Sequence, residues 1–87
     1  MYYVYVLYSQ KFNKIYIGYT SDLEKRFLSH NELSNKGYTV KYRPWVIAIK
    51  EDFTTKQEAR MREKQLKGGK GREWIWSILE EKGLISA

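Results

Sequence analysis

Cysteine is absent from this chain, so neither disulfides nor thiolate metal sites can support its fold. That absence fits a reducing compartment. Proline occurs only once, at Pro44, and a proline there rules out a central strand position. Long apolar runs are missing as well. The apolar N-terminus, Met1 to Tyr8, falls far short of the roughly 20 residues a membrane-spanning helix needs. It also lacks the basic start and small-residue cleavage site of a signal peptide. A cytoplasmic location is the expectation. No internal repeat, linker or low-complexity stretch divides the 87 residues, so a single domain over 1–87 is expected.

Aromatic residues and positive charge are what the sequence has in quantity. The hydrophobic share is 43%, with 16% aromatic, enough for a modest core and too much for a disordered chain. The formal net charge is +6. Nucleic acid is the commonest partner for such a balance, although charge alone also fits basic proteins that bind none.

Tyr2 to Tyr8 is an unbroken aromatic and β-branched run, which predicts a strand. Ser9 to Asn13 reads as a turn and Lys14 to Tyr19 as the second arm of an antiparallel hairpin. Gly18 weakens that arm intrinsically, which points to a bulge or to the close approach of another group. Ser21-Asp22-Leu23-Glu24 has the form of a capping box with Ser21 as the cap. A helix from about Asp22 to Leu33 is expected, with Leu23 and Phe27 inward, closed by Asn35-Lys36-Gly37. Tyr38 to Pro44 reads as a loop, and Trp45 to Lys50 as a third strand. A second capping box, Thr55 to Glu58, opens a helix to about Lys67 that Gly68-Gly69 stops. A last helix runs from about Gly71 to Lys82, with Ile75, Ile78 and Leu79 at helical spacing and Gly83 as the terminating residue. The order is β-β-α-β-α-α, an α+β chain.

Three groups of residues stand out against this scaffold. Glu63 falls on or beside the inward stripe marked by Ala59 and Leu66, where a carboxylate is costly unless paired or bound to a metal. It is the only acid among Arg60, Arg62, Lys64, Lys67, Lys70 and Arg72, and a salt bridge to Arg60, Arg62 or Lys67 is its ordinary explanation. Arg26 and His30 are one helical turn apart and share a face. A guanidinium suits phosphate and an imidazole can move a proton near neutral pH, yet the same pair fits a solvated helix face. Tyr5 and Tyr16 lie on adjacent strands. If the hairpin pairs Tyr8 with Asn13, both side chains leave one face of the sheet, whereas a one-residue slip separates them.

Taken together, Val4-Tyr5-Val6, Tyr16-Ile17-Gly18-Tyr19-Thr20, Leu23 through Arg26 to His30-Asn31, and Glu58-Ala59 through Glu63 to Lys67 resemble the signature of the GIY-YIG nucleases. Arg43-Pro44 and the Lys67 to Trp74 segment extend the similarity over nearly the whole chain. It is most similar to the short, single-domain bacterial group of excinuclease-like GIY-YIG proteins. The resemblance implies a three-stranded antiparallel sheet flanked by three helices and a one-metal endonuclease cutting DNA to 5′-phosphate and 3′-hydroxyl ends. By position it implies that Tyr5 and Tyr16 line the site, one of them acting on the attacking water. Arg26 would hold the scissile phosphate, His30 would assist proton transfer or substrate contact, and Glu63 would bind Mg²⁺ or Mn²⁺.

The basic residues Arg60, Lys64, Lys67, Lys70 and Arg72 are candidates for backbone contacts, with DNA a likelier partner than RNA. The segment Gly68 to Arg72 lacks the spacing of a nucleotide-binding P-loop. Larger members of the family carry separate recognition modules. Here specificity falls to the domain surface, to a homodimer or to a partner protein. Two readings without turnover stay open: a nucleic-acid-binding module on a nuclease fold, and a basic adapter for an acidic protein.

Overall fold

In the computed structural model, which describes residues 1–85, the N-terminal run forms β1 (Tyr2–Ser9) and β2 (Lys14–Thr20) as an antiparallel hairpin. Ser86 and Ala87, the end of the expected 1–87 domain, lie outside the described residues. A third strand, β3 (Val46–Phe53), pairs antiparallel on the other side of β1, so the order across the sheet is β2-β1-β3. The centre of the sheet is therefore β1, and Val4 to Ser9 are all buried. A strand covered on both faces has no solvent side, which is why its sequence is an unbroken apolar run rather than an alternation.

Successive residues of β1 feed different layers. Val4, Val6 and Tyr8 join Ile15, Ile17, Ala59, Leu66, Ile75 and Leu79 in the larger core. That core lies under α3 (Lys56–Lys67) and α4 (Gly69–Glu81). Tyr5 and Leu7 point the other way and join Trp45, with Tyr16, Leu23, Phe27 and Tyr42 packed around them. This face is covered by α1 (Leu23–Leu28), by the π-helical turn Ser29–Leu33 that continues it, and by α2 (Tyr38–Lys41). Truncating a fully buried aliphatic such as Leu66 or Ile75 costs about 2–5 kcal/mol. The larger core on the α3–α4 side is the more aliphatic, whereas the smaller face is built around Tyr5, Leu7 and Trp45.

The expected three-stranded α+β order holds, with local differences. The cap of α1 is Asp22, not Ser21: Asp22 has the extended backbone, and its carboxylate accepts the Lys25 amide at 3.2 Å. A start at Asp22 puts Lys25 where a capping box needs an acid, so the cap is one-sided. The box at Thr55 and Glu58 forms in full, and the two Thr hydroxyls on the Glu58 carboxylate hold its pKa below the usual value, that of Thr55 first. Residues 38–41 of the expected loop form one helical turn, entered through Gly37 at φ 102°. At the other end of the chain, Gly83 (φ 76°) terminates α4, its amide donating to Glu80 O and that of Leu84 to Leu79 O.

The α3–α4 corner depends on Gly71. A Cβ there would fall on the Gln65 carbonyl and the Leu66 backbone, and backbone cannot swing aside as a side-chain tip can. Gly69 faces open space. Gly71→Ala should therefore destabilise the fold by about 1–3 kcal/mol. Gly69→Ala should be neutral or stabilise by up to about 1 kcal/mol. Urea denaturation of the two variants checks the contrast, and equal effects would remove the close-packing account.

Candidate active site

The hairpin register decides whether the two tyrosines can meet. Tyr8 pairs with Ile15 rather than Asn13, so Tyr5 sits opposite Gly18 and Leu7 opposite Tyr16. The shift from the expected pairing is two residues, which preserves the face. Tyr5, Gly18 and Tyr16 all point to the smaller face, with the two rings 6.3 Å apart. Asn13 instead takes the turn at φ 54° and accepts the Tyr8 hydroxyl at 2.9 Å.

Gly18 makes room for Tyr5. A Cβ on Gly18 would lie 2.5 Å from the Tyr5 hydroxyl and 2.7 Å from its Cζ. The Tyr5 ring thus lies across the bare glycine, and the close approach expected there is a phenol. Its hydroxyl reaches His30 Nε2 at 2.9 Å, and His30 Nδ1 meets Thr39 Oγ1 at 3.1 Å. A neutral imidazole has one donor and one acceptor nitrogen, and the two hydroxyls can serve either tautomer.

His30 owes its place to local backbone geometry. At Ser29 the helix widens from α to π, with the Ser34 amide donating to Ser29 O at 2.9 Å. Such widened turns recur at functional sites. The widened turn leaves carbonyls for Arg43, which donates to His30 O (2.7 Å), Ser29 O (3.1 Å) and Ser34 O (2.7 Å). Trp45 fastens the same region, its amide donating to Asn31 Oδ1 and its indole N–H to Thr39 O, both at 2.7 Å.

Burial pushes the Tyr5 hydroxyl up to about 12; the Arg26 guanidinium opposes this, while Tyr16 and Glu63 add to it. Tyr5 is thus a phenol at neutral pH. Arg26 lies beside both phenols, Tyr5 foremost, which strengthens its hold on its charge. His30 is lowered, by burial first and then by the charges of Arg26 and Arg43, so its neutral form is favoured.

Tyr16, Arg26 and His30 line one pocket of about 310 Å³, together with Lys36, Tyr38 and Thr39. Tyr5 lies beneath it, 1% exposed. Glu63 stands apart on α3, linked to the cluster by its charge on Tyr5. Among the described residues its ion pair is with Lys67, long at 3.6 Å, and its side chain is 17% exposed. Arg62 is taken by Glu51 at 2.7 Å.

Arg60 and Lys64 share a groove with Lys56, and Lys70 lines another with Arg62 and Trp74. Lys67 stands by Glu63, and the charge of Arg72 acts on Tyr38. Sequence reasoning gave no role to Lys36, Tyr38 or Thr39, and no spacing rule ties them to Tyr16 or His30. Arg43 entered only through a dipeptide, although a lone basic residue before a strand carries no such signal.

A family model described as "GIY-YIG catalytic domain" matches residues 1–75. The chain is 40% identical over 65 residues to a UPF0213 protein of Staphylococcus haemolyticus, covering 75% of this chain and 78% of that one. It is 42% identical over 66 residues to a UPF0213 protein of Bacillus velezensis, covering 72% and 67%. A UPF0213 protein of Staphylococcus saprophyticus is 38% identical over 65 residues, covering 75% and 78%. The names of these relatives state no activity. No solved structure matches the chain.

The lowered His30 pKa makes a prediction with a definite sign. Unfolded histidine titrates near ~6.5, and the folded state resists protonation. The stability His30 contributes is therefore complete above that pH and is lost as pH falls through its lower folded value. The stability difference between the unaltered protein and His30→Gln should shrink as pH drops from 7.5 to 5, roughly the range histidine spans. Urea midpoints across that range test it, and a constant difference would contradict the buried neutral imidazole.

Proposed function

The chain belongs to the GIY-YIG catalytic-domain family, and on that premise we propose that it is a divalent-metal-dependent endonuclease that hydrolyses nucleic-acid phosphodiesters, with DNA as substrate. The observation that carries this reading is the meeting of Tyr16, Arg26 and His30 in one pocket, with Tyr5 holding His30 from below.

In this reading Arg26 binds the non-bridging oxygens of the scissile phosphate, where charge accumulates in the transition state. Tyr16, which lines the pocket, orients the attacking water. His30, kept neutral by burial and by the charges of Arg26 and Arg43, is in the form that can accept a proton during the reaction. Tyr5 is a positioning residue: buried and protonated, it fixes the imidazole rather than deprotonating water. The water oxygen bonds to phosphorus as the bond to the 3′ oxygen breaks, leaving a 5′-phosphate and a 3′-hydroxyl that regains the proton.

Glu63 is the residue that would hold the cation. Its carboxylate, on a side chain 17% exposed, meets a long lysine contact among the described residues, where no cluster of three or more His, Cys, Asp or Glu is gathered for a metal. Such a donor set suits Mg²⁺ or Mn²⁺, which bind hard oxygen and retain water and substrate phosphate as remaining ligands. A bound cation would supply charge neutralisation at the phosphoryl oxygens. Among the described residues no helix is long and apolar enough to cross a membrane. The exposed cations on α3 and α4 contact the backbone, and a homodimer or a partner protein adds specificity.

Glu63→Ala and Arg26→Ala should each lower Mg²⁺- or Mn²⁺-dependent nicking by about 10²–10³, with unchanged circular dichroism. The assay is a panel of single-stranded, duplex and branched DNA together with RNA. Full activity in Glu63→Ala would sink the metal role. Salt-sensitive binding without cleavage on any member of the panel would instead establish a nucleic-acid-binding module.

A further inference from the structure

Tyr38 is an aromatic residue with no part in the roles above. It opens α2 directly after Gly37 and stays 44% exposed. Its ring is nonetheless held on several sides. Tyr42 lies 4.8 Å away between centroids, Trp45 6.1 Å, and Tyr16 6.3 Å at an interplanar angle of 30°. The result is a supported aromatic surface with one side open, at the mouth of the pocket that Tyr16 and His30 line.

Cations stand beside this surface. Arg26 and Lys36 line the same pocket, and burial and Tyr42 raise the Tyr38 hydroxyl while the charge of Arg72 on α4 partly opposes them. A flat apolar face beside positive groups matches a base flanked by phosphates, the combination that single-strand binders use. It does not match paired DNA. A paired base has its faces covered by its neighbours and meets a side-chain ring only after leaving the stack. The pocket, at about 310 Å³, is at the small end of the roughly 300–1,000 Å³ range of ligand pockets, a size for one nucleotide rather than a duplex.

We propose that this pocket is a nucleotide subsite in which one unpaired base stacks on Tyr38, so that the preferred substrate carries a single-stranded or extruded nucleotide beside the phosphate to be cut. The proposal rests on the nuclease reading of the same site, and it assigns Tyr38 and Lys36 to substrate choice rather than to chemistry.

Binding measured without divalent cation separates the two. The probe is a short single-stranded DNA carrying one fluorescent purine analogue, compared with a perfect duplex of the same sequence. Tyr38→Ala should weaken single-strand binding about 5- to 100-fold, the range of one base–aromatic stack, and leave duplex binding nearly unchanged. Tyr38→Phe and Tyr38→Trp should bind as the unaltered protein does. Tyr38→Leu, which keeps apolar bulk for folding, should lose affinity as Tyr38→Ala does. An abasic nucleotide should cost the unaltered protein as much as Tyr38→Ala costs, and cost that variant nothing further. Equal losses on single strand and duplex, or no loss with Tyr38→Leu, would overturn the subsite. Cleavage with an unchanged KM in Tyr38→Leu would overturn it too while leaving the nuclease reading intact. Tyr38-dependent binding with no cleavage of any substrate would support the subsite and remove the nuclease reading.

Discussion

The contact on which the site depends is that of Tyr5 across Gly18. A phenol on a central strand normally has its hydroxyl near its own strand's neighbours. Here the opposing residue has no side chain, and the ring reaches over β2 to His30. The contact links three segments far apart in sequence: the sheet, the π-helical turn that carries His30, and the one-turn helix that supplies Thr39. It also sets the protonation of the cluster. The burial that makes room for the hydrogen bond raises Tyr5 to about 12 and lowers His30, so both are held neutral while Arg26 beside them stays charged. A larger residue at position 18 would displace the phenol from the imidazole and disturb packing and chemistry together.

The two faces of the sheet divide the work accordingly. The aliphatic residues of α3 and α4 close one face with a core containing Ala59, Leu66, Ile75 and Leu79. The other face buries Tyr5, Leu7 and Trp45, with Tyr16, Leu23, Phe27 and Tyr42 packed around them, and its covering segments are fastened by hydrogen bonds. Arg43 and Trp45 are the means. One donates to three carbonyls of the widened turn, and the other fastens Asn31 and Thr39. Polar fastening of this kind fixes direction at little apolar area, which suits a surface that must stay open to a charged substrate.

Much of the scaffold was legible because it is local. The capping box at Thr55, the stop at Gly83 and the aromatic run of β1 each announce themselves within a few residues. The family's signature brought Tyr5, Tyr16, Arg26, His30 and Glu63 forward, and the structure places the first four together. The illegible parts are those that tertiary contact decides. Ser21 and Asp22 are equally good caps on paper, and the choice between them follows from where β2 releases the chain. The hairpin register was open by two residues, since the turn could tighten or loosen without moving any side chain to the wrong face. Tyr38 and Tyr42 are one helical turn apart and their rings meet, but a single turn is too short for a period to be read, and the approach of Tyr38 to Tyr16 has no sequence signal. The segment's aromatic content was visible, but its partners were not.

Net charge proves a coarse guide to this surface, because cations differ in what already holds them. Arg43 is committed to carbonyls, Arg62 to Glu51 and Lys82 to Ala48 O. None of these can turn to phosphate without leaving a buried or half-buried group unpaired, which is costly. Arg26 and Lys36 have no carboxylate within ion-pair distance among the described residues, as is true of Arg60, Lys64, Lys70 and Arg72, and the first two line the pocket with Tyr16 and Tyr38. The formal charge of +6 thus resolves into a share that is already held and a share still able to meet a polyanion. Two of the latter, Arg26 and Lys36, line the pocket that also holds a phenol, an imidazole and an open aromatic face. That coincidence, rather than the total charge, is the physical reason to look for a nucleic-acid phosphate there.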